Sequence, residues 1–182
     1  LQDHGDEEGL ALLTPIVKSY VTEQSMENIS LAMQVMGGMG YVKDGCCEQL
    51  YRDGRITMIY EGTNGIQALD LIARKIAKDG GKGLMNLLSK LDGGDPELRK
   101  AIDQANGFLL KNATKPNVIA SIAPSYLNLL AIVIMQWLLA KDESVDKQAV
   151  EFYHDYIVPE AYLYLSRIMK GQSSMSDYPP FE

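Results

Sequence analysis

A chain of 182 residues, 46% hydrophobic and 23% charged, holds enough apolar mass for one or two globular domains and is neither disordered nor fibrous. Its net charge of −7 includes no basic cluster, which argues against nucleic acid as a partner. The two cysteines, Cys46 and Cys47, are adjacent and poorly placed to bridge each other, which suits a reducing compartment. His4 and His154 lack a Cys or His at ligand spacing, so no metal site is expected.

The opening residues, Leu1 to Gly9, are acidic and glycine-punctuated and read as a frayed lead-in or linker. Thr14-Pro15 predicts an N-cap with proline at the first helical position. Val17, Tyr20, Val21, Ile29, Met33 and Met36 then carry a helix to Gly37 with one buried stripe, its methionines serving the core. From Met39 to Arg55 no long period holds, and one short helix is expected around Glu48 to Asp53. Ile56 to Tyr60 is β-branched at its start, but with no partner strand it reads as a packed loop or helix end. A helix follows Thr63 and runs to Lys78, stopping at Gly80-Gly81, where a domain boundary is expected.

Beyond the glycines, Leu84, Leu87, Leu88 and Leu91 mark a short helix, and Asp92 to Asp95 a turn. Asp95-Pro96 opens the next helix, with Leu98, Ile102, Ala105 and Leu109 facing inward. Val118 to Ala140 contains no charge and is long enough to span a bilayer. Ser121, Ser125, Asn128 and Gln136 nevertheless line one face, so a buried central helix bent near its start by Pro124 is the expectation. The last helix begins near Ser144, is interrupted by Pro159 and stops at Gly171, and its tyrosines suit a domain or subunit seam. The tail from Gln172 reads as irregular.

The chemistry concentrates between Gln34 and Gln67. Thr63 or Asn64 can cap a helix with Ile66, Leu69, Ala73 and Ile76 on one face, so the chain turns into that helix at Tyr60-Glu61-Gly62-Thr63. Glu61 then sits at the positive end of a helix dipole, which favours the carboxylate, while a bound apolar substrate would oppose ionisation and bring it towards the range of a working base. A solvated residue at a helix start is the competing reading. Gly37-Gly38-Met39-Gly40 follows a helix rather than opening one, so it is no dinucleotide or phosphate loop, and by itself it reads as a helix stop. Arg52, Asp53 and Arg55 read as an ion-paired turn fixing the loop before Glu61.

Three motifs stand in order: Gln34-x-x-Gly37-Gly38-x-Gly40, then Arg52-Asp53, then Ile59-Tyr60-Glu61-Gly62-Thr63. Together they resemble the C-terminal helical region of the acyl-CoA dehydrogenases. The resemblance implies an all-α fold: an antiparallel helical bundle over residues 1–80, partial, followed by an additional helical domain over 81–182. The Asn64-Gly65-Ile66-Gln67 continuation is similar to the larger bacterial branch that carries such an extra domain and includes dehydrogenases of long-chain acyl-CoA and methylthiopropanoyl-CoA.

The same resemblance makes Glu61 the base that removes the α-proton of an acyl-CoA thioester, while FAD accepts the β-hydrogen as hydride and a trans-2-enoyl-CoA is formed. Gln34, Gly37 and Gly38 are implied contacts to the adenosine diphosphate part of an FAD held mainly by a neighbouring subunit, and Thr63 lies near the flavin's phosphates. Gly65 stands where family members often have a further FAD-binding Gln, so that contact is not carried over.

A homo-oligomer (dimer or tetramer), an electron-transferring flavoprotein as electron acceptor, no nucleic acid, no membrane span and a bacterial cytoplasmic location complete the expectation. The family's complete chains carry an N-terminal helical domain and a β-domain before this region, and the chain has neither an initiator Met nor room for them, so it is expected to be a C-terminal piece. An alkylation-response-type flavoprotein that binds DNA and a non-catalytic helical interaction module are the alternatives. The first would need a basic face on the later helices, against which their charge of −2 argues.

Overall fold

The computed structural model describes residues 6–90 and 94–171. The first residues of the predicted lead-in, part of the Asp92 to Asp95 turn and the tail from Gln172 lie outside the described residues. What is described is all-α, with no strand among the described residues.

Helix α1, Glu7–Met36, is 30 residues long, about 45 Å at 1.5 Å per residue. It begins about two turns before the predicted start. Asp6 is the N-cap and its carboxylate accepts from the Gly9 N–H at 2.8 Å, and Glu7 and Glu8 add negative charge to the first turn, where the helix dipole favours it. Thr14 does not cap: its hydroxyl donates to the Leu10 carbonyl at 2.8 Å, and Pro15 lies inside the helix. Local signals favoured Thr14-Pro15 as a start, but Leu12 and Ile16, each 3% exposed, straddle Pro15. Burying each contributes about 1.5–3 kcal/mol, enough to offset the hydrogen bond that proline forfeits.

The segment with the motifs then folds as α2, Gly38–Tyr41, and α3, Cys46–Arg55, followed by a 3₁₀ turn, Ile56–Met58. The short helix expected around Glu48 is α3, and Ile56 to Met58 is the helix end expected there. Helix α4, Asn64–Asp70, continues through a π-helical stretch, Leu71–Ile76, and a 3₁₀ turn, Ala77–Asp79, and stops at Gly80 with φ 69°. The chain goes on as α5, Lys82–Ser89, α6, Pro96–Lys111, and α7, Pro116–Lys141. After them come α8, Lys147–Phe152, a π-helical stretch, Tyr153–Ile157, and α9, Val158–Lys170. Pro159 falls at the start of α9. It cannot donate to the preceding turn and its ring would crowd that turn's carbonyl, and the wide turn just before it accommodates both. The predicted interruption is thus a change of helical winding, with Gly171 ending the run.

Helix α7 is the axis of the core, packing on α1, α4, α6 and α9. Ile122, Ala123, Tyr126, Leu127, Leu129, Leu130 and Ile132 on it are at most 1% exposed. By length and composition it could cross a membrane, yet 61% of its most apolar window is buried inside the fold. It remains helical through Pro124. Part of its polar stripe faces the fold, Asn128 lying beside Tyr164 on α9, where it counters the upward push that burial gives that phenol. Tyr20 on α1 and Tyr153 lie beside each other, and burial pushes both phenols up.

One continuous core runs from Leu12, Ile16 and Tyr20 through Leu71, Ile72 and Ile76 to Leu88, Leu98, Ile102, Leu109 and α7, joining residues on both sides of Gly80-Gly81. Between Tyr20 and Ala68, by contrast, Met26 and Cys47 are the only buried apolar side chains among the described residues. The motif-bearing segment is therefore held from one side and open on the other.

Candidate functional site

The turn that carries Glu61 leaves the 3₁₀ turn at Met58 and enters α4 at Asn64. Glu61 has φ 55° and Gly62 φ 89°, and Glu61 is the single non-glycine residue with positive φ among the described residues. A left-handed conformation costs an L-residue about 1–2 kcal/mol, so surrounding contacts must hold it. They do so at consecutive carbonyls. Gln67 donates from Nε2 to the Glu61 carbonyl at 2.8 Å, and Lys18 donates from Nζ to the Gly62 carbonyl at 2.7 Å and to Asn64 Oδ1 at 2.9 Å.

Asn64, 8% exposed, completes the attachment to α1. The two N–H groups of its Nδ2 are shared among the Ser19 carbonyl at 3.2 Å, Thr22 Oγ1 at 3.1 Å and Glu23 Oε1 at 3.1 Å. A buried amide with these partners is satisfied, and leaving them unpaired would cost about 1–3 kcal/mol each. Of the two predicted caps, Asn64 thus spends its side chain on α1, and Thr63 occupies the N-cap position without a side-chain cap bond. Nothing local marked Lys18, 44 residues before Gly62. Only the fold brings them together. The side chain of Glu61 itself is exposed, facing outward from an anchored backbone.

The glycine turn both ends α1 and opens α2. Gly37, with φ 58°, is the helix stop, its N–H donating to the Gln34 carbonyl at 3.2 Å. Gly40 has a different reason: a Cβ there would lie 2.7 Å from the Met33 carbonyl oxygen, so the chain can cross α1 only without a side chain. At Gly37 and Gly38 a Cβ would meet nothing within 4 Å.

Gln34, Gly37 and Gly38 come together on an open groove of about 1040 Å³, bordered also by Lys43, Glu48 and Arg52. Glu61 and Thr63 are not part of its lining. The structure therefore gathers three of the five predicted site residues on one surface and sets the other two on the turn into α4. Arg52 pairs with Glu48 one helical turn away at 3.5 Å, and Arg55 reaches the Met58 sulfur. The predicted ion-paired turn is corrected: Arg52, Asp53 and Arg55 all lie on α3, whose continuous hydrogen bonding supplies the rigidity assigned to ion pairs.

The donor set suits the polar part of a dinucleotide cofactor. An amide at Gln34, positive side chains at Lys43 and Arg52, the latter paired with Glu48, and two glycines, Gly37 and Gly38, with no side chain to keep a ligand off the backbone border a space of that scale. Cys47 is buried against Met36, sulfur to sulfur 3.4 Å, and burial pushes its thiol up, which makes it an inert packing residue.

Residues 1–77 match the family described as acyl-CoA dehydrogenase, C-terminal domain. They belong to the acyl-CoA dehydrogenase family. The chain is similar to the 3-methylmercaptopropionyl-CoA dehydrogenase of Ruegeria pomeroyi, 41% identical over 107 residues, which is 55% of this chain and 18% of that protein. It is 38% identical over 80 residues to a broad-specificity linear acyl-CoA dehydrogenase of Mycobacterium tuberculosis, 44% of this chain and 13% of that protein. A shorter match, 66% identical over 38 residues, is to the short-chain specific mitochondrial acyl-CoA dehydrogenase of Bos taurus, 21% of this chain and 9% of that protein. The chain spans less than a fifth of the length of these relatives.

Proposed function

We propose that this chain supplies the catalytic base and part of the cofactor surface of an acyl-CoA dehydrogenase that converts an acyl-CoA thioester to the trans-2-enoyl-CoA. The observation that carries this reading is Glu61: an exposed carboxylate on a backbone turned into the left-handed region and anchored at two successive carbonyls. Such anchoring holds a general base at a fixed place, and proton abstraction from carbon depends on that placement as well as on basicity. Glu61 takes the α-proton as the Cα–H bond breaks, and the electron pair left behind forms the α,β double bond as hydride departs from the β-carbon. FAD, when bound, accepts that hydride. Gln34, Gly37, Gly38 and Thr63 hold the cofactor, the first three by the open backbone and amide of the groove.

The acyl-CoA substrate, an electron-transferring flavoprotein as the acceptor of the electrons, assembly as a homo-oligomer and a cytoplasmic, bacterial setting belong to the same reading. Residues 81–182 form its additional helical domain. In the intact enzyme Glu61→Gln should leave FAD bound and slow flavin reduction by several orders of magnitude, because a neutral amide cannot accept the proton. The check is rapid mixing of parent and variant with butyryl-CoA and 3-methylthiopropanoyl-CoA while following the oxidised-flavin absorbance. Reduction at the parent rate would place the base elsewhere.

A further inference from the structure

We propose that Lys18 and Gln67 are positioning residues for Glu61. This rests on Glu61 being the base. The two side chains act on consecutive peptide carbonyls of the turn: Gln67 on that of Glu61 at 2.8 Å and Lys18 on that of Gly62 at 2.7 Å. Those are the two positive-φ residues of the turn. A carbonyl's direction is set by the ψ of its own residue, so fixing both carbonyls fixes the orientation of the Glu61 Cα–Cβ bond, and with it the position of the carboxylate.

The clamp is anchored, not floating. The Lys18 ammonium also holds Asn64 Oδ1 at 2.9 Å, and the other face of that amide is tied to Ser19, Thr22 and Glu23 on α1. Gln67 lies on α4 and packs close to Gly62, whose absent Cβ would be 3.3 Å from Nε2. The turn is thus fixed against two helices at once. An ammonium suits the Lys18 position because one group must donate to two oxygens in different directions, which its three rotatable N–H bonds permit. Without it, the Gly62 carbonyl is free to rotate, and Glu61 can relax from its left-handed conformation to the ordinary helical or extended regions.

The test uses the intact, FAD-loaded enzyme and whichever of butyryl-CoA and 3-methylthiopropanoyl-CoA reduces the parent faster. Lys18→Met keeps the aliphatic stem and removes the donor. It should lower the limiting rate of flavin reduction by roughly 10- to 100-fold, as expected for a reacting group displaced by about an ångström. The half-saturating substrate concentration and FAD content should stay close to the parent's. Lys18→Arg should restore part of the rate. In a Glu61→Gln background Lys18→Met should cause no further fall, since there is no base left to position.

An unchanged limiting rate in Lys18→Met, or an equal fall in both backgrounds, overturns the positioning role even if Glu61→Gln is inactive. Parent-like reduction by Glu61→Gln overturns the base assignment itself, and the clamp with it. Should Lys18→Met fail to retain FAD, Gln67→Ala at a half-exposed position decides: a lowered limiting rate with parent-like half-saturation supports the clamp, and a parent-like rate overturns it.

Discussion

Gly40 and Gly107 carry the same side chain and demand opposite outcomes on substitution. A Cβ at Gly40 would strike Met33 backbone atoms at 2.7 and 2.8 Å, and backbone cannot swing aside as a flexible side chain can. Gly40→Ala should therefore destabilise the α1–α2 junction by about 1–3 kcal/mol, seen as faster amide exchange at residues 36 to 41. Gly107 lies inside α6 with nothing within 4 Å of its missing Cβ. Gly107→Ala should stabilise by about 0.5–1 kcal/mol through the lost freedom of the unfolded chain, raising the urea midpoint. A lowered midpoint would show that α6 needs a bare backbone there. The sequence singles out Gly40 by its motif but not the contact that forbids a side chain there, and no neighbouring residue announces the left-handed backbone of Glu61.

Among the elements, α5 shows how a short helix is started without a capping side chain at the N-cap itself. Gly81 occupies that position, and Asp79 two residues earlier accepts from the N–H groups of Gly81 at 2.8 Å and Gly83 at 2.6 Å. The Gly83 N–H, followed by that of Gly81, holds the Asp79 carboxyl below its ordinary 3.8. Because the folded value is the lower one, the stabilisation is present above the unfolded value and is lost as pH falls through the folded one. Asp79→Ala should cost about 1 kcal/mol at neutral pH, and the difference from the parent should shrink as the pH drops below about 4. Urea unfolding at a series of pH values measures this. A difference that stayed constant well into the acid range would mean that Asp79 acts through packing.

At the scale of the whole molecule, the fold is lopsided. The first half of α1 and the helices α4 to α6 and α9 share one core around α7, while the stretch that carries Glu61 and the glycine turn lies over it with its outer apolar groups uncovered. Val35 is 90% and Tyr41 77% exposed, and Met39, Val42, Leu50, Tyr51, Ile59 and Tyr60 are exposed as well. Apolar side chains at this density are unusual on the surface of a solitary monomer. The chain should therefore associate with itself, its weight-average mass in sedimentation velocity rising with concentration, and Val35→Lys combined with Tyr41→Ser should reduce that rise. A parent that stays monomeric across the range would contradict this.

By itself the sequence determined the features that near neighbours control: the all-α class, the glycine stops at Gly37, Gly80 and Gly171, the Asp95-Pro96 helix start, and the buried character of the uncharged Val118 to Ala140 run. Helical period, caps and glycine conformations act within a few residues, so they are readable in one dimension. The linked motifs from Gln34 to Thr63 also carried the family. Only the tertiary structure decided that α1 runs through Pro15, because the burial of Leu12 and Ile16 against distant helices outweighs a local start signal. It alone placed Gln34, Gly37 and Gly38 on one groove with Arg52, and brought Lys18 to the Gly62 carbonyl across 44 residues. A hydrogen bond to a backbone carbonyl leaves no mark at the acceptor's side chain, so no pattern in the sequence could have named that partner.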